Sequence, residues 1–105
     1  MNQFSCGLDI SGSSTKTLGN YYGDVSSGIV NNGAATWSGT GALNNQTSGR
    51  FTNSAGASLD IRTDADFLGA TFINQGTLIK SVGATDGSDR TVISGAFDNS
   101  GTVNV

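Results

Sequence analysis

The most charged run of this 105-residue chain is a candidate metal site. Asp60, Arg62, Asp64 and Asp66 alternate with uncharged residues, so in an extended strand these four side chains point to one face. Ca²⁺ accepts several carboxylate oxygens in loose geometry, which makes Asp64 and Asp66 candidate calcium ligands. The alternative is a solvated strand face on which Arg62 neutralises its acidic neighbours.

A second acidic pair, Asp86 and Asp89, is the other candidate calcium site. The two residues flank a Gly-Ser pair in the widest gap between copies of a sequence repeat. The ordered ligand spacing of a calcium-binding loop is missing there. The alternative is therefore a turn in which the Asp side chains accept backbone N–H groups.

Three aromatic residues, Trp37, Tyr21 and Tyr22, are candidate ligand-binding residues. Exposed aromatic rings on a flat β face can stack on sugar rings, and a polysaccharide is the partner that this chemistry indicates. For Trp37 the alternative is a place in the core, since aligning the repeats puts it in one column with Ile61. Lys80 falls in a similar column.

The composition removes several kinds of chemistry. The chain has no His, so Ser-His and Cys-His nucleophile pairs and His-containing zinc sites cannot be built from it. The formal net charge of −3 disfavours nucleic acid or an anionic membrane as a partner. No stretch approaches the ~18 apolar residues of a membrane helix, and the first residues do not predict a signal peptide.

A repeated pattern defines the elements that must position these residues. Four segments share an apolar residue, any residue, Asn, one or two residues, Gly and then an alternating run. They begin at Ile29, Phe51, Phe72 and Phe97, which are 22, 21 and 25 positions apart. This spacing is typical of one turn of a β-solenoid that holds two or three short strands.

Each repeated residue type has a predicted mechanical role. Gly allows the positive φ of a sharp corner, and Asn side chains at equivalent corners can hydrogen-bond to one another in a ladder. Phe51, Phe72 and Phe97 are expected to stack inside as one aromatic column, with Ile29 in the same place. The runs after each Gly are expected to pair in parallel from turn to turn. The sequence therefore predicts an all-β fold, a parallel β-helix (β-solenoid) of about four turns, with a β-sandwich as the alternative.

The pattern also predicts how the chain is organised. We expect a single domain in which residues 1–28 form a degenerate first turn or N-terminal cap and residues 29–105 form the repeats, since terminal repeats usually depart from the pattern. The last repeat ends on a strand over 102–105, which leaves an edge for pairing. We expect that edge to self-associate or to pair with neighbouring repeats of a longer chain.

The segments 72–81 and 97–105 resemble strand repeats of large bacterial surface proteins, the autotransporter passengers and filamentous-haemagglutinin-like adhesins. The resemblance covers roughly residues 29–105. It implies a right-handed β-helix, in agreement with the crossover preference of parallel strands, and a cell-surface or extracellular location. It implies no catalytic residues.

Three functions are consistent with these features. The one we favour is a non-enzymatic structural repeat segment of a bacterial cell-surface adhesin or extracellular fibre. The second is a calcium-assisted hydrolase or lyase that acts on an ester, lactone or polysaccharide with an Asp as the base. The third is a carbohydrate-binding module that uses Trp37 or the tyrosines. Calcium is the one cofactor among these hypotheses.

Overall fold

The computed structural model describes one part of the chain as a set of short strands joined by turns and bends. The described residues are 2–4, 8–11, 16–17, 28–39, 41–44, 50–81 and 90–105. They form the strands β1 (Asn2–Phe4), β2 (Leu8–Ile10), β3 (Lys16–Thr17), β4 (Gly28–Asn31), β5 (Ala34–Trp37), β6 (Leu43–Asn44), β7 (Arg50–Asn53), β8 (Ser58–Ile61), β9 (Phe67–Asn74), β10 (Thr77–Lys80), β11 (Ile93–Asn99) and β12 (Thr102–Asn104). None of these residues lies in a helix, so this part of the chain contains no helix long and apolar enough to cross a bilayer.

The strands build two parallel sheets. The first has seven strands in the order β1-β4-β7-β9-β6-β3, with β11 paired to β9, and the second has five in the order β12-β10-β8-β5-β2. The chain therefore passes back and forth between the sheets as it advances along the stack. The predicted all-β class and parallel pairing are confirmed. Because every pairing in the described residues is parallel, an antiparallel β-sandwich is excluded for them.

The pairing register follows the sequence repeat. Ile29 pairs with Phe51, Phe51 with Phe72, and Phe72 with Phe97. The strands of each sheet stack on one another in the direction of their hydrogen bonds. We call the strand segments of both sheets that lie at the same position along this direction a level. The described residues form five levels, which are 2–4 with 8–10 and 16–17; 28–31 with 34–37 and 43–44; 50–53 with 58–61 and 67–68; 71–74 with 77–80 and 93–94; and 96–99 with 102–104.

The first of these levels belongs to residues 1–28. Its strands β1, β2 and β3 pair with β4, β5 and β6, and Asn2 lies in register with Ile29. The described part of this segment thus joins both sheets. Its assignment as a degenerate turn or cap stays a prediction.

The core lies between the two sheets and is centred on three aromatic rings. Phe51 and Phe72 stack with their ring centroids 5.2 Å apart and an interplanar angle of 15°, and Phe67 meets both rings edge-on. Phe97 continues the column 5.5 Å from Phe72, and Ile29 packs against the core at the other end. The predicted column is confirmed, but Phe97 is 41% exposed, since in the described structure β11 has no strand on its outer side.

The glycines of the repeat serve two different purposes. Gly56 adopts a φ of 82°, the positive value that the sequence predicts for a corner. Gly76 and Gly101 are different, because they lack a positive φ but are packed against backbone. A Cβ on Gly76 would collide with the carbonyl oxygens of Ser54 and Ala57, and one on Gly101 would collide with the backbone of Gly76. At these two corners close stacking of levels, rather than φ, requires glycine.

Candidate functional site

The first acidic run does not form the one-faced strand that its alternation predicts. Strand β8 ends at Ile61, and residues 62–66 follow without strand structure. Arg62 is exposed on this segment, whereas Asp64 is only 2% exposed. The prediction that Asp64 and Asp66 share an open face with Asp60 is wrong, because the chain turns away from the sheet as soon as β8 ends.

Asp64 is instead the buried member of an ion pair with the half-buried Lys80. Lys80 Nζ lies 2.9 Å from Asp64 Oδ1, and the two side chains are 19% and 1% exposed. The same ammonium group donates to the carbonyl oxygen of Thr63 at 2.5 Å, and the Thr91 hydroxyl donates to that oxygen at 2.7 Å. Lys80 occupies the core column of Trp37 and Ile61. A charged group in this position is stable only if an oppositely charged or hydrogen-bonding group lies next to it. The sequence repeat places Lys80 in this column but gives no indication that Asp64 is its partner.

The other two acidic side chains of this run, Asp60 and Asp66, have different partners. Asp66 Oδ1 accepts the backbone N–H of Val92 at 2.9 Å, and Asp60 Oδ1 accepts the hydroxyl of Ser81 at 2.6 Å. Within the described ranges, no three Asp, Glu, Cys or His side chains come together as metal ligands would. Asp64 and Asp66 thus have protein partners of their own, and nothing in the described structure joins them into a calcium site.

Four predicted site residues lie outside the described residues. Two are the candidate calcium ligands Asp86 and Asp89, and two are the candidate sugar-stacking residues Tyr21 and Tyr22. Their predicted roles stay predictions.

Trp37 is a core residue. Its side chain is fully buried, and its Nε1 donates to the carbonyl oxygen of Gly41 at 3.4 Å. A ring that stacks on a sugar must present a face to solvent, which Trp37 does not do here. The sugar-stacking prediction for Trp37 is corrected by this burial, and the core alternative is confirmed.

The asparagines of the repeat form the predicted ladder. Asn31 donates to Asn53 at 2.8 Å, Asn53 to Asn74 at 2.9 Å, and Asn74 to Asn99 at 2.8 Å. The first three are fully buried. A buried amide is expensive unless its donors and acceptor are satisfied, and this arrangement satisfies them by repeating the same residue at the same corner.

The last level leaves the interior of the stack exposed. Phe97, Val103 and Val105 are 41%, 42% and 100% exposed, whereas Phe72 and Leu78 one level below are 1% and 4% exposed. In the described structure β11 pairs only with β9, and β12 pairs only with β10. We call the outer side of this level, formed by Phe97, Asn99, Val103 and Val105, the open face.

A pocket of about 330 Å³ opens to solvent at the open face, and Phe97, Val103 and Val105 form part of its lining. It is lined mainly by apolar side chains, which include Ile61, Leu78 and Ile93, and its charged members are Lys80 and Arg90. In the described structure the site thus combines unpaired strand edges with an apolar pocket. This arrangement is suited to binding an extended chain, because strand edges supply backbone hydrogen bonds and the pocket accepts side chains.

Comparison with profiles of known protein families, with curated proteins and with solved structures found no match to this chain.

Proposed function

We propose that this chain is a structural β-solenoid segment, coiled right-handedly in about four turns, of a bacterial cell-surface adhesin or extracellular fibre. The observation that carries the proposal is the asparagine ladder, which runs in register with the phenylalanine column through consecutive levels of parallel strands. Such a stack gains stability from each interface between neighbouring levels, as repeat proteins do. A right-handed path is supported by the crossover preference of parallel strands.

The side chains that the enzymatic and sugar-binding alternatives require are engaged with other protein groups where the structure describes them. Asp64 is paired with Lys80 and Trp37 lies in the core. A general base needs to reach substrate, and a stacking aromatic needs an exposed ring. No observation favours catalysis or sugar binding over a structural role.

The open face supports association as the molecular activity. Exposed edges of parallel strands are templates for further pairing, and the apolar side chains of Phe97 and Val103 gain free energy when they are covered. In the proposed function this face self-associates or meets neighbouring repeats of a longer chain outside the cell.

Sedimentation velocity of the reduced protein, over a range of concentrations and with or without calcium, tests the proposal. We expect concentration-dependent association that calcium does not change. Val103→Lys places a charge on the open face and should keep the protein monomeric. Val92→Lys is the matched control, because Val92 has a similar exposure of 39% but lies outside β11 and β12; this variant should associate like the wild type.

A monomer at every concentration would contradict the association. If that monomer also hydrolysed a polysaccharide or ester in a calcium-dependent way, and lost the activity in the variant Asp86→Asn/Asp89→Asn, the structural function would be replaced by the enzymatic one. Glycan binding that disappears in Tyr21→Ala/Tyr22→Ala would replace it by the carbohydrate-binding one.

A further inference from the structure

We infer that the open face binds a parallel strand segment of the pattern apolar-x-Asn-x-Gly and selects it through the side-chain amide of Asn99. The inference rests on the proposed function, since it names the chemistry of the partner at the same edge. It goes further by specifying which residues that partner must carry.

The first argument is the geometry that repeats inside the stack. Asn31 Nδ2 donates to two acceptors of the next level, Asn53 Oδ1 at 2.8 Å and the carbonyl oxygen of Ser58 at 2.9 Å. Asn53 Nδ2 does the same with Asn74 Oδ1 at 2.9 Å and the carbonyl oxygen of Thr77 at 3.0 Å. Each asparagine thus recognises both the ladder residue and the strand after the corner of the level that follows it.

Asn74 makes the same two hydrogen bonds to the level that follows it, but Asn99 does not. Asn74 Nδ2 donates to Asn99 Oδ1 at 2.8 Å and to the carbonyl oxygen of Thr102 at 3.0 Å. Asn99 Nδ2 donates within its own corner, to the carbonyl oxygen of Gly101 at 3.3 Å. This contact is longer than the others, and Asn99 is exposed. A segment that supplies an amide oxygen and a following carbonyl would give Asn99 the two shorter bonds that the inner asparagines make.

The second argument is the apolar surface beside Asn99. Phe97 stands two residues before Asn99, and Val103 stands on the strand after the corner, above Leu78. An apolar residue two positions before the asparagine of a parallel partner would therefore cover Phe97, as Phe97 covers Phe72. Burial of such side chains contributes roughly 25 cal/mol for each Å² of apolar surface.

The third argument is the lack of room at the corner. Gly101 is packed so closely on Gly76 that a Cβ on Gly101 would collide with Gly76 backbone atoms. Gly76 meets the level beneath it, at Ala57, in the same way. A partner that continues this spacing needs glycine over Gly101, because any side chain there would lift its corner away from the ladder.

A second copy of the chain meets these requirements only in part. In the register of the first level, Asn2 takes the position of the phenylalanine column and Phe4 that of the asparagine ladder. If the first level of another copy lay on the open face in this register, the backbone of Phe4 rather than that of an asparagine would pair with Asn99. We therefore expect a matched segment to occupy the open face more tightly than another copy does.

The test uses a synthetic peptide of residues 71–80, capped at both ends. It is titrated into the reduced, ¹⁵N-labelled full chain at a concentration where sedimentation shows a monomer. We expect amide shifts within 96–105, and at higher protein concentration we expect the peptide to dissociate self-associated copies. Control peptides with N74A or G76A should bind at least about tenfold more weakly, the equivalent of about 1.4 kcal/mol.

A protein variant, Asn99→Ala, together with the N74A peptide, gives a double-mutant cycle for the contact between the two asparagines. It should bind the native peptide more weakly and lose the discrimination between the native and the N74A peptide. Equal binding of the native and N74A peptides to the wild-type chain would overturn the inference, as would shifts confined to residues outside 96–105. Those results would not contradict the proposed function, because that function is tested separately by sedimentation, hydrolysis and glycan-binding measurements. The control peptides require no folding of a variant protein, so the test does not depend on Asn99→Ala being stable.

Discussion

Among the described residues, the buried carboxylate of Asp64 is paired with one cation, Lys80. Its Oδ1 is bound by Lys80, while its Oδ2 is buried without a hydrogen-bond partner in the described structure. Removing one member of a buried pair leaves the other charge uncompensated in a medium of low polarity. Lys80 therefore acts as a structural residue that fixes the segment after β8 against β10.

Replacing Lys80 by an apolar residue should destabilise the protein. Lys80→Met is expected to lower the free energy of unfolding by about 3 kcal/mol, measured by urea unfolding followed with far-UV circular dichroism. The double variant Lys80→Met/Asp64→Leu should recover most of that loss, because an apolar pair can replace a buried ion pair at little cost. The control Arg62→Met removes an exposed charge and should change stability by less than about 0.5 kcal/mol. Additive losses in the double variant would show that the pair is not coupled.

The ladder asparagines should be equally sensitive. Asn53→Ala removes an acceptor from Asn31 and a donor from both Asn74 and Thr77, all at a fully buried position. We expect a loss of about 2–4 kcal/mol in urea unfolding, since unsatisfied buried groups cost about 1–3 kcal/mol each. Asn104→Ala changes an exposed asparagine of β12 and should be close to neutral. Similar stabilities of the two variants would contradict the ladder's contribution.

For single residues, the sequence predicts the contacts that recur in every repeat and does not predict the contacts that occur once. The ladder could be predicted because its asparagines recur at one position of every repeat. The Asp64–Lys80 pair could not, because it joins residues 16 positions apart, a separation shorter than the repeat. The alternating pattern predicts a strand that continues past Ile61, but β8 ends there, and Asp64 is buried instead of lying on an exposed strand face.

Among the elements, the phenylalanine column offers a comparison between an inner and an outer ring. Phe72→Ala should cost about 3–5 kcal/mol, because it opens a cavity between Phe51 and Phe97. For so small a protein this is a large part of the total stability. Phe97→Ala removes a ring that is already 41% exposed and should cost clearly less. Thermal and urea unfolding would measure both, and a cooperative, near-wild-type transition for Phe72→Ala would refute the stacked core.

The strand β9 shows where the repeat alone was insufficient. Its first two residues pair with β6, and its last four pair with β7, so one continuous strand serves two levels. The motif beginning at Phe72 revealed only the second part. Phe67, which closes the aromatic cluster edge-on, precedes the motif, so the repeat does not include it in the aromatic column. Contacts of this kind depend on how the levels are joined, which a repeat period does not specify.

For the whole molecule, stability should decline toward the open face. A level with neighbours on both sides can unfold locally only if both of its interfaces break. The last level has one interface in the described structure and unfolds locally when that interface breaks. In native-state hydrogen exchange, the amides of β8 should therefore be at least about tenfold better protected than those of β12. Uniform protection in both strands would instead show that the molecule opens only as a unit.

Parallel pairing and its register could be predicted from the sequence, because both have local causes, namely corner glycines and stacked phenylalanines. The arrangement of the described strands in two sheets could not, because the repeat is consistent with two or three strands in each turn. The packing at the end of the stack could not be predicted either. The pocket at the open face depends on how side chains from β8, β10, β11 and β12 fill the space that a further level would otherwise occupy. That is a property of three-dimensional packing with no signature in residue spacing.

The hydrogen bonds of the asparagine ladder all point the same way, each amide donating toward the level that follows it in the chain. The ladder is therefore a row of aligned dipoles that begins inside the stack at Asn31, whose Oδ1 accepts the backbone N–H of Gly33, and finishes on the exposed amide of Asn99. The two sides of the described stack are thus chemically distinct, since the ladder presents an exposed donor on the open face alone. Two copies meeting by their open faces would oppose donor to donor at Asn99, so the ladder disfavours this head-to-head association.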